Sequence, residues 1–198
     1  MTHDLSPPKA LQYSAPLNLN AWIQEHADAL RPPVNNKQIW ANADLVCFVV
    51  GGPNQRTDFH VDPYEEYFQQ LRGTASLLIA DRGKFERVTL REGEIFLLPA
   101  HVRHSPQRPE AESLALVIER RRAPSDLDAF EWYCADCGTR VGRRELSVRK
   151  IDEDLPKAFA SFYDTDAAAR TCPACGAIHP GRDWSTWHAH LAEHFPNT

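Results

Sequence analysis

Two stretches of the chain combine histidine, glutamate and arginine with glycine and proline turns. The first, GGPNQRTDFHVDPYEE at 51–66, contains His60 and Glu66, and the second, GEIFLLPAHVRHSPQR at 93–108, contains His104. Two neutral imidazoles and one carboxylate on one side of a metal ion leave coordination positions open. This is the ligand set of non-haem Fe(II) oxygenases. The two stretches therefore predict two halves of one iron site.

Four of the five cysteines form two Cys-x-x-Cys pairs, in YCADCGTR and TCPACGAIHPG. A glycine directly follows each pair and allows the tight turn in which backbone N–H groups point at thiolate sulfur. Four thiolates from two such turns make a closed tetrahedral site for zinc or iron, and a closed site favours a structural role. The predicted ligands are Cys134, Cys137, Cys172 and Cys175. The fifth, Cys47, lies in the apolar run LVCFVV and is expected in the core.

Two arginines and one glutamate have positions from which they can line the same cavity. Arg56 lies four residues before His60, Arg108 lies four residues after His104, and an even offset along a strand keeps side chains on one face. A cavity with two guanidiniums suits an anion, and a carboxylate matches their planar fork. Glu119 lies in LALVIERR. Burial of its carboxylate inside a barrel costs free energy unless an arginine or a substrate N–H or O–H pairs with it. The alternative for each is a surface salt bridge.

Residues 43 to about 122 form short β-type runs between glycine, proline and aspartate turns. The runs are ADLVCFVV, TASLLIA, KFERVTL, EIFLLP and SLALVIER. Their length and spacing predict an antiparallel sandwich or barrel, and DRG and REG predict hairpin turns. Before them, 17–30 predicts a helix that Asn18 or Asn20 caps, with four apolar residues on one face: Trp22, Ile23, Ala27 and Leu30.

The last third of the chain predicts a linker, a helix and a tail. RRAPSDLDAF is typical of a linker, and DLPKAFASFYD predicts a helix capped by Asp154. The apolar face of this helix consists of Leu155, Phe159 and Phe162. In the tail, His190 and His194 have the i, i+4 spacing of metal ligands. Trp187 and Leu191, one helical turn apart, instead favour an amphipathic terminal helix.

These patterns divide the chain into four regions. Residues 1–42 carry the N-terminal helix and an arm that packs on the barrel, and residues 43–122 form the barrel with the iron site. Residues 123–183 carry the four-cysteine site, and residues 184–198 form a helical tail.

Composition and charge exclude several functional classes. The chain has 198 residues, of which 42% are hydrophobic and 25% are charged, which suits one domain with a small appendage. The net charge of −5 argues against nucleic acid or an anionic membrane as a partner, and the basic clusters RRAP and VGRREL predict solvated faces. No apolar run has the length of a membrane span, and MTHDLSPPKA lacks the core of a secretory signal. We therefore expect a cytoplasmic protein with reduced cysteines.

The spacing of the two histidine-containing stretches resembles the two motifs of the cupins, a superfamily of small β-barrels. In the first motif six residues separate a glutamate from a glycine, which Glu66 and Gly73 satisfy and Glu65 misses by one. The usual His-x-His unit is absent, because His60 stands between two aspartates. Loss of one histidine leaves three ligands and opens a position for substrate and dioxygen. The resemblance implies a mainly β, double-stranded β-helix barrel.

The second cupin motif has a glycine, five residues, a proline and, five positions further on, a histidine, which Gly93, Pro99 and His104 satisfy. His101 falls on the usual glycine of this motif. His101 is therefore a weaker ligand candidate than His104.

Longer blocks make the resemblance more specific. VVGGPNQRTDFHVDPYEEYFQQLRG, EGEIFLLPAHVRHSPQRPE, VIER and FEWYC resemble the bacterial 3-hydroxyanthranilate 3,4-dioxygenase family, from the N-terminal helix through HPGR. The matching positions imply Fe(II) bound by His60, Glu66 and His104. They imply substrate binding by Arg56, Arg108 and Glu119. The family also carries a rubredoxin-like site outside the active centre, to which the four cysteines correspond.

The resemblance implies a reaction. The substrate, 3-hydroxyanthranilate, would chelate the iron through its hydroxyl and amine, dioxygen would take the remaining position, and the ring would open between carbons 3 and 4. The product, 2-amino-3-carboxymuconate semialdehyde, can cyclise to quinolinate, a precursor of NAD in the kynurenine pathway. Asp58 is close enough in sequence to orient Arg56 or a ligand histidine. The chain is expected to form a homodimer.

Two alternatives remain open from the sequence. The first keeps the fold and the iron but changes the substrate to a differently substituted 2-aminophenol. The second is a non-catalytic metal-binding or sensor cupin, linked to nucleic acid through its cysteine-rich tail. The acidic balance of the chain argues against the second alternative.

Overall fold

A computed structural model describes residues 15–32, 35–41, 43–149, 151–196 and 198. The described residues form three α-helices: α1 (Leu19–Glu25), α2 (Ile151–Tyr163) and α3 (Trp184–His194). They also form eleven β-strands: β1 (Asn36–Gln38), β2 (Leu45–Gly51), β3 (Asp58–Val61), β4 (Glu66–Arg72), β5 (Thr74–Asp81), β6 (Lys84–Arg91), β7 (Ile95–Leu98), β8 (Arg103–Gln107), β9 (Leu114–Arg120), β10 (Asp128–Tyr133) and β11 (Arg140–Leu146).

The strands form two antiparallel sheets. One has the order β1-β2-β9-β4-β7 and the other has the order β11-β10-β3-β8-β5-β6. Apolar side chains from both sheets pack into a common interior, which contains Phe68, Leu77, Leu90, Leu98 and Val117. All five β-type runs of the sequence are strands of these sheets. The predicted mainly β barrel is therefore confirmed.

The predicted N-terminal helix is α1, followed by a turn of 3-10 helix over Ala27–Leu30. Asn18 is its N-cap, because the Asn18 side chain accepts a hydrogen bond of 3.0 Å from the backbone N–H of Ala21. Trp22 and Leu30 pack with Val49 on the outer face of the five-stranded sheet. The predicted arm at residues 1–14 lies outside the described residues.

The sheets continue beyond the barrel boundaries predicted at residues 43 and 122. Strand β1 pairs with β2, and β10 pairs with β3, so both flanks of the barrel belong to its sheets. The predicted linker RRAPSDLDAF therefore ends in a strand, and all six residues of β10 are buried. The sequence DAFEWY of β10 does not show the polar–apolar alternation of a half-exposed strand, because helix α2 covers the second face of this strand.

Helix α2 begins at Ile151, so the prediction that Asp154 caps it is wrong; Asp154 lies within the helix. The carboxylate of Asp154 accepts a hydrogen bond from the backbone N–H of Arg149, which precedes the helix. Pro156 lies inside the helix, at its sixth residue, and supplies no backbone N–H to the helical hydrogen-bond pattern. The apolar face of α2 packs against Phe130 and Trp132 of β10.

The tail forms α3, an amphipathic helix whose Trp187 and Leu191 are fully buried. The Asp183 side chain caps the helix by accepting a hydrogen bond of 3.0 Å from the backbone N–H of Thr186. Within the described part of the chain, no helix has the length and apolar character needed to cross a membrane.

Candidate active site

Two histidines and one glutamate meet between the two sheets. His60 on β3 and His104 on β8 are neighbours in the six-stranded sheet, and Glu66 begins β4 in the other sheet. Their ligand atoms all lie within 4.8 Å of one another. Nδ1 of His60 is 3.4 Å, and Nε2 of His104 is 3.1 Å, from Oε1 of Glu66. The neighbouring Glu65 is exposed, whereas Glu66 is buried, so burial and cupin spacing select the same glutamate.

The second ring nitrogen of each histidine has a fixed acceptor. Nε2 of His60 is 2.8 Å from a carboxylate oxygen of Asp128, and Nδ1 of His104 is 3.0 Å from the carbonyl oxygen of Val102. Because these oxygens only accept, both nitrogens donate, so in the neutral form of each ring the lone pair of the other nitrogen faces Glu66. Oε1 of Glu66 is buried without a hydrogen-bond partner among the described residues. Three acceptors therefore converge on a point that suits a cation.

The charges around the three residues also favour a cation. Burial alone lowers the pKa of an imidazole, but the carboxylates of Asp128 and Glu66 raise the pKa of His60 to about 10. Burial likewise opposes ionisation of Glu66, yet the two imidazoles hold its pKa well below the usual range. A set of two imidazoles and one carboxylate fits a transition metal ion such as Fe(II).

His101 lies away from this cluster. Its side chain is exposed and its backbone has φ 64°, the left-handed conformation that favours glycine. This geometry explains why cupin motifs carry glycine at this position.

A cavity of about 660 Å³ adjoins the three residues, and Arg56, Arg108 and Glu119 also line it. Its apolar walls include Phe48, Val50, Phe68, Pro106, Val117 and Phe130. Helix α2 contributes Leu155, Phe159 and Tyr163. This mixture of apolar walls and a few charged groups is typical of a pocket for a small aromatic anion.

The two arginines differ in their partners. The guanidinium of Arg56 forms a double contact with the carboxylate of Asp58, with 3.1 Å between Nε and Oδ1 and a second bond from Nη2 to Oδ2. Nε of Arg108 is buried without a hydrogen-bond partner, and no carboxylate among the described residues pairs with Arg108. Burial and the charge of Arg56 lower the pKa of Arg108 to about 10. Arg108 is thus a buried cation that an anionic ligand would stabilise.

Glu119 belongs to a network centred on Arg122. One nitrogen of Arg122 lies 3.2 Å from Glu119, and another lies 2.6 Å from Asp62 and 2.7 Å from Asp128. Burial raises the pKa of Glu119 to about 8 despite Arg122, with further increases from neighbouring carboxylates. Because Asp128 also bonds His60, one guanidinium links the predicted substrate residue to a predicted metal ligand.

Arg122 and Asp128 were not recognised from the sequence. The cluster RRAP was expected to be solvated, but the Arg122 side chain is only 7% exposed. Its partners are Glu119 on β9, Asp128 on β10 and Asp62 directly after β3, and this juxtaposition depends on the strand order of the sheets. Tyr163 and Phe159 were also missed as cavity residues, because α2 reaches the cavity only through its packing on β10.

The four cysteines lie together at a second site. Their sulfur atoms are all within 4.8 Å of one another, and the Cys134–Cys175 and Cys137–Cys172 pairs are each separated by 3.6 Å. Gly138 and Gly176 have φ of 70° and 80°, which is the conformation that the turn after each pair requires. Four converging thiols fit a tetrahedral zinc or iron ion.

The histidines of the tail do not form a third metal cluster among the described residues. Nδ1 of His190 is 2.8 Å from the Asp136 carboxylate, and Nδ1 of His194 is 3.0 Å from the carbonyl oxygen of His190. These contacts fit the terminal helix better than a metal site.

Among solved structures, a cupin-2 domain protein from Shewanella frigidimarina is similar to this chain. It covers 53% of this chain and 94% of its own, with 22% sequence identity and a TM-score of 0.43.

Curated proteins with higher identity match almost the whole chain. A protein of Cupriavidus pinatubonensis named 3-hydroxyanthranilate 3,4-dioxygenase is 54% identical over 93% of this chain and 97% of its own length. Proteins of the same name from Burkholderia cenocepacia and Ruegeria pomeroyi are each 54% identical, over 89% and 84% of this chain and 99% and 92% of their own lengths.

The family described as 3-hydroxyanthranilic acid dioxygenase matches residues 11–163. The match includes all seven residues predicted for the active site: Arg56, Asp58, His60, Glu66, His104, Arg108 and Glu119. The chain therefore belongs to the 3-hydroxyanthranilic acid dioxygenase family.

Proposed function

We propose that the chain cleaves the ring of 3-hydroxyanthranilate with dioxygen, using Fe(II) held by His60, Glu66 and His104. One observation carries the proposal: three converging metal-ligand atoms and an unpaired buried arginine share a cavity of about 660 Å³. The family and the names of its curated members support the same reaction.

Arg108 and Arg56 would bind the carboxylate of the substrate. Arg108 lacks a carboxylate partner among the described residues, so a substrate carboxylate would supply its missing counter-charge. This favours 3-hydroxyanthranilate over a 2-aminophenol that carries no carboxylate. Asp58 would orient Arg56, which it contacts through two hydrogen bonds.

Glu119 would face the hydroxyl and amine of the bound ring. A carboxyl group with a pKa of about 8 has a proton affinity suited to exchanging a proton with a substrate hydroxyl near neutral pH. Arg122 keeps this carboxyl in place through its contact of 3.2 Å. The apolar walls, including Phe130 and Phe68, would hold the ring and exclude water.

When bound, the iron supplies a template for the substrate and dioxygen and a route for electrons between them. The reaction breaks the bond between ring carbons 3 and 4, and both oxygen atoms enter 2-amino-3-carboxymuconate semialdehyde. All atoms of the substrate and of dioxygen are present in the product, so the reaction needs no external reductant. The four-cysteine site therefore has no required role in electron supply, and we assign Cys134, Cys137, Cys172 and Cys175 to a structural zinc or iron ion.

We also infer a homodimer that uses the outer face of the five-stranded sheet. Ile95 and Leu97 on the edge strand β7 are 63% and 55% exposed. Leu97 lies beside Tyr67, and Tyr67 lies beside Ile118, in an apolar row across three strands. Such a patch suits burial against a second copy. Light scattering should give a dimer mass for the wild type and a monomer mass for Leu97→Lys; a wild-type monomer would contradict this inference.

The reaction is tested by reconstitution. The purified protein is loaded with Fe(II) without oxygen, then mixed with 3-hydroxyanthranilate and air, and the absorbance of the semialdehyde is followed. We expect stoichiometric consumption of dioxygen and substrate. No turnover by fully iron-loaded protein would contradict the proposed function.

A further inference from the structure

Gln107, the last residue of β8, holds the peptide backbone of Arg56. The backbone N–H of Arg56 donates to Oε1 of Gln107 at 3.0 Å, and Nε2 of Gln107 donates to the carbonyl oxygen of Arg56 at 2.8 Å. Gln107 is 2% exposed and directly precedes Arg108. Together with the two backbone hydrogen bonds of 2.7 Å between Asn54 and Arg108, this amide side chain sets the position of one cavity arginine relative to the other.

The C-terminal helix completes this contact. The indole N–H of Trp184, the first residue of α3, donates to Oε1 of Gln107 at 3.1 Å. Nε2 of Gln107 also donates to the hydroxyl of Ser105 at 2.9 Å. The amide oxygen thus accepts two hydrogen bonds and the amide nitrogen donates two, so the orientation of the Gln107 side chain is fixed. Without the indole, the oxygen would keep only its bond to Arg56.

A second contact attaches the same part of the chain to the residue after Arg56. The hydroxyl of Thr57 donates to the carbonyl oxygen of Gly181 at 2.8 Å, and it lies 3.0 Å from the hydroxyl of Tyr163. Thr57 is 2% exposed, so these bonds are shielded from water. Gly181 therefore holds Thr57, the residue after Arg56, directly, and Trp184 holds the backbone of Arg56 through Gln107.

We propose that Trp184, acting through Gln107, is a positioning residue for the binding of the substrate carboxylate by Arg56. This inference rests on the proposed function, in which Arg56 contacts the carboxylate. The C-terminal segment then does more than cover the barrel, because it fixes the distance between the two arginines. Trp184 does not need to touch the substrate, and iron binding does not depend on it.

The test compares two ligands and three variants by anaerobic titration calorimetry of Fe(II)-loaded protein. The ligands are 3-hydroxyanthranilate and 2-aminophenol, which has the same hydroxyl and amine without the carboxylate. Trp184→Phe removes the N–H but keeps a ring. We expect its Kd for 3-hydroxyanthranilate to rise about three- to tenfold, as for the loss of one neutral hydrogen bond. Its Kd for 2-aminophenol should stay unchanged, and so should kcat at saturating substrate.

Trp187→Phe is the matched control on the same helix. The indole N–H of Trp187 donates to the carbonyl oxygen of Tyr133 at 3.0 Å, so the variant loses a similar bond without contact to Gln107. It should unfold more easily and bind both ligands as the wild type does. Thr57→Val, which removes the second attachment, should reproduce the carboxylate-specific loss.

Three results would overturn the inference: an unchanged Kd in Trp184→Phe, an equal loss for both ligands, or the same loss in Trp187→Phe. The proposed function is judged separately, by whether the wild type turns over 3-hydroxyanthranilate. Because Kd is measured without oxygen, the positioning role is decided even if turnover fails.

Discussion

At the scale of single residues, the site depends on how buried charges are paired. The carboxylate of Asp58 pairs with Arg56, whereas Arg108 has no carboxylate partner among the described residues. Arg122 contacts three carboxylates at once. The proposed metal ligands could be picked out in the sequence because their spacing matches that of the cupin motifs. The role of Arg122 was not, because its partners lie 60, 6 and 3 residues away and meet only in the folded sheets.

Replacing Arg122 should destabilise the fold. Arg122→Met removes the shared partner of Asp62, Asp128 and Glu119 and leaves buried carboxylates without a counter-charge. We expect the free energy of unfolding to fall by about 3–5 kcal/mol, as for other broken buried ion pairs. Arg121→Met is the control, since the side chain of this exposed neighbour bonds two backbone carbonyls and no carboxylate among the described residues, and its loss should cost less than about 1 kcal/mol. Equal losses, measured by urea unfolding, would contradict the central position of Arg122.

At the scale of elements, the short apolar runs could be predicted as strands because turns with Gly, Pro or Asp separate them. The fully buried strand β10 was missed, since residues 128–133 include two acidic side chains whose arginine partners all lie outside the strand. Asp128 meets Arg122, and Glu131 meets Arg103, Arg140 and Arg143. Strand pairing that depends on such long-range contacts leaves no periodic signal in the sequence.

The segment between the cysteine pairs and α3 should respond to pH through His179. Nδ1 of His179 accepts a hydrogen bond of 3.1 Å from the backbone N–H of Gly181, and burial together with Arg170 lowers the pKa of His179 to about 3. The unfolded chain binds this proton near the ordinary pKa of about 6.5. Between these values protonation favours the unfolded state, so stability is lost as pH falls below about 6.5.

His179→Asn keeps an acceptor for Gly181 but cannot be protonated in this range. The stability of the wild type relative to this variant should therefore decrease by on the order of 1 kcal/mol for each pH unit below about 6.5. Urea unfolding of both proteins between about pH 4 and 7 measures this difference. Parallel stability curves would show that His179 does not carry the effect.

The four-cysteine site should support folding rather than turnover. Cys134→Ser removes one of four thiolate ligands at a site whose cysteines are not among the residues that line the cavity. We expect a lower yield, loss of the second metal and a lower midpoint of thermal unfolding, with unchanged turnover per iron-loaded molecule at saturating substrate.

Cys47→Ser provides the control, because Cys47 is a core cysteine outside the cluster. It should keep the second metal. Loss of turnover in well-folded, iron-loaded Cys134→Ser protein would contradict the structural assignment of the four cysteines.

At the scale of the whole molecule, the two sheets and the C-terminal segment each supply a part of one cavity. The five-stranded sheet brings Glu66 and Glu119, the six-stranded sheet brings His60 and His104, and α2 closes one side with Tyr163. The sequence was sufficient for the first two contributions, because the cupin motifs contain His60, Glu66 and His104, and Glu119 interrupts the apolar run of β9. The third depends on how α2 packs on β10, which no local pattern records.

The central claim is that iron bound by His60, Glu66 and His104 performs the ring cleavage, and Glu66 provides its sharpest test. Glu66→Ala and Glu65→Ala are loaded with Fe(II) without oxygen, and both iron content and turnover of 3-hydroxyanthranilate are measured. Glu66→Ala should lose at least about 100-fold in iron affinity and all measurable turnover. Even the replacement of a residue that only hydrogen-bonds a metal ligand lowers metal affinity or activity by about 10–100-fold. The exposed Glu65→Ala should match the wild type in both measurements. Iron retention and turnover by Glu66→Ala would contradict the account.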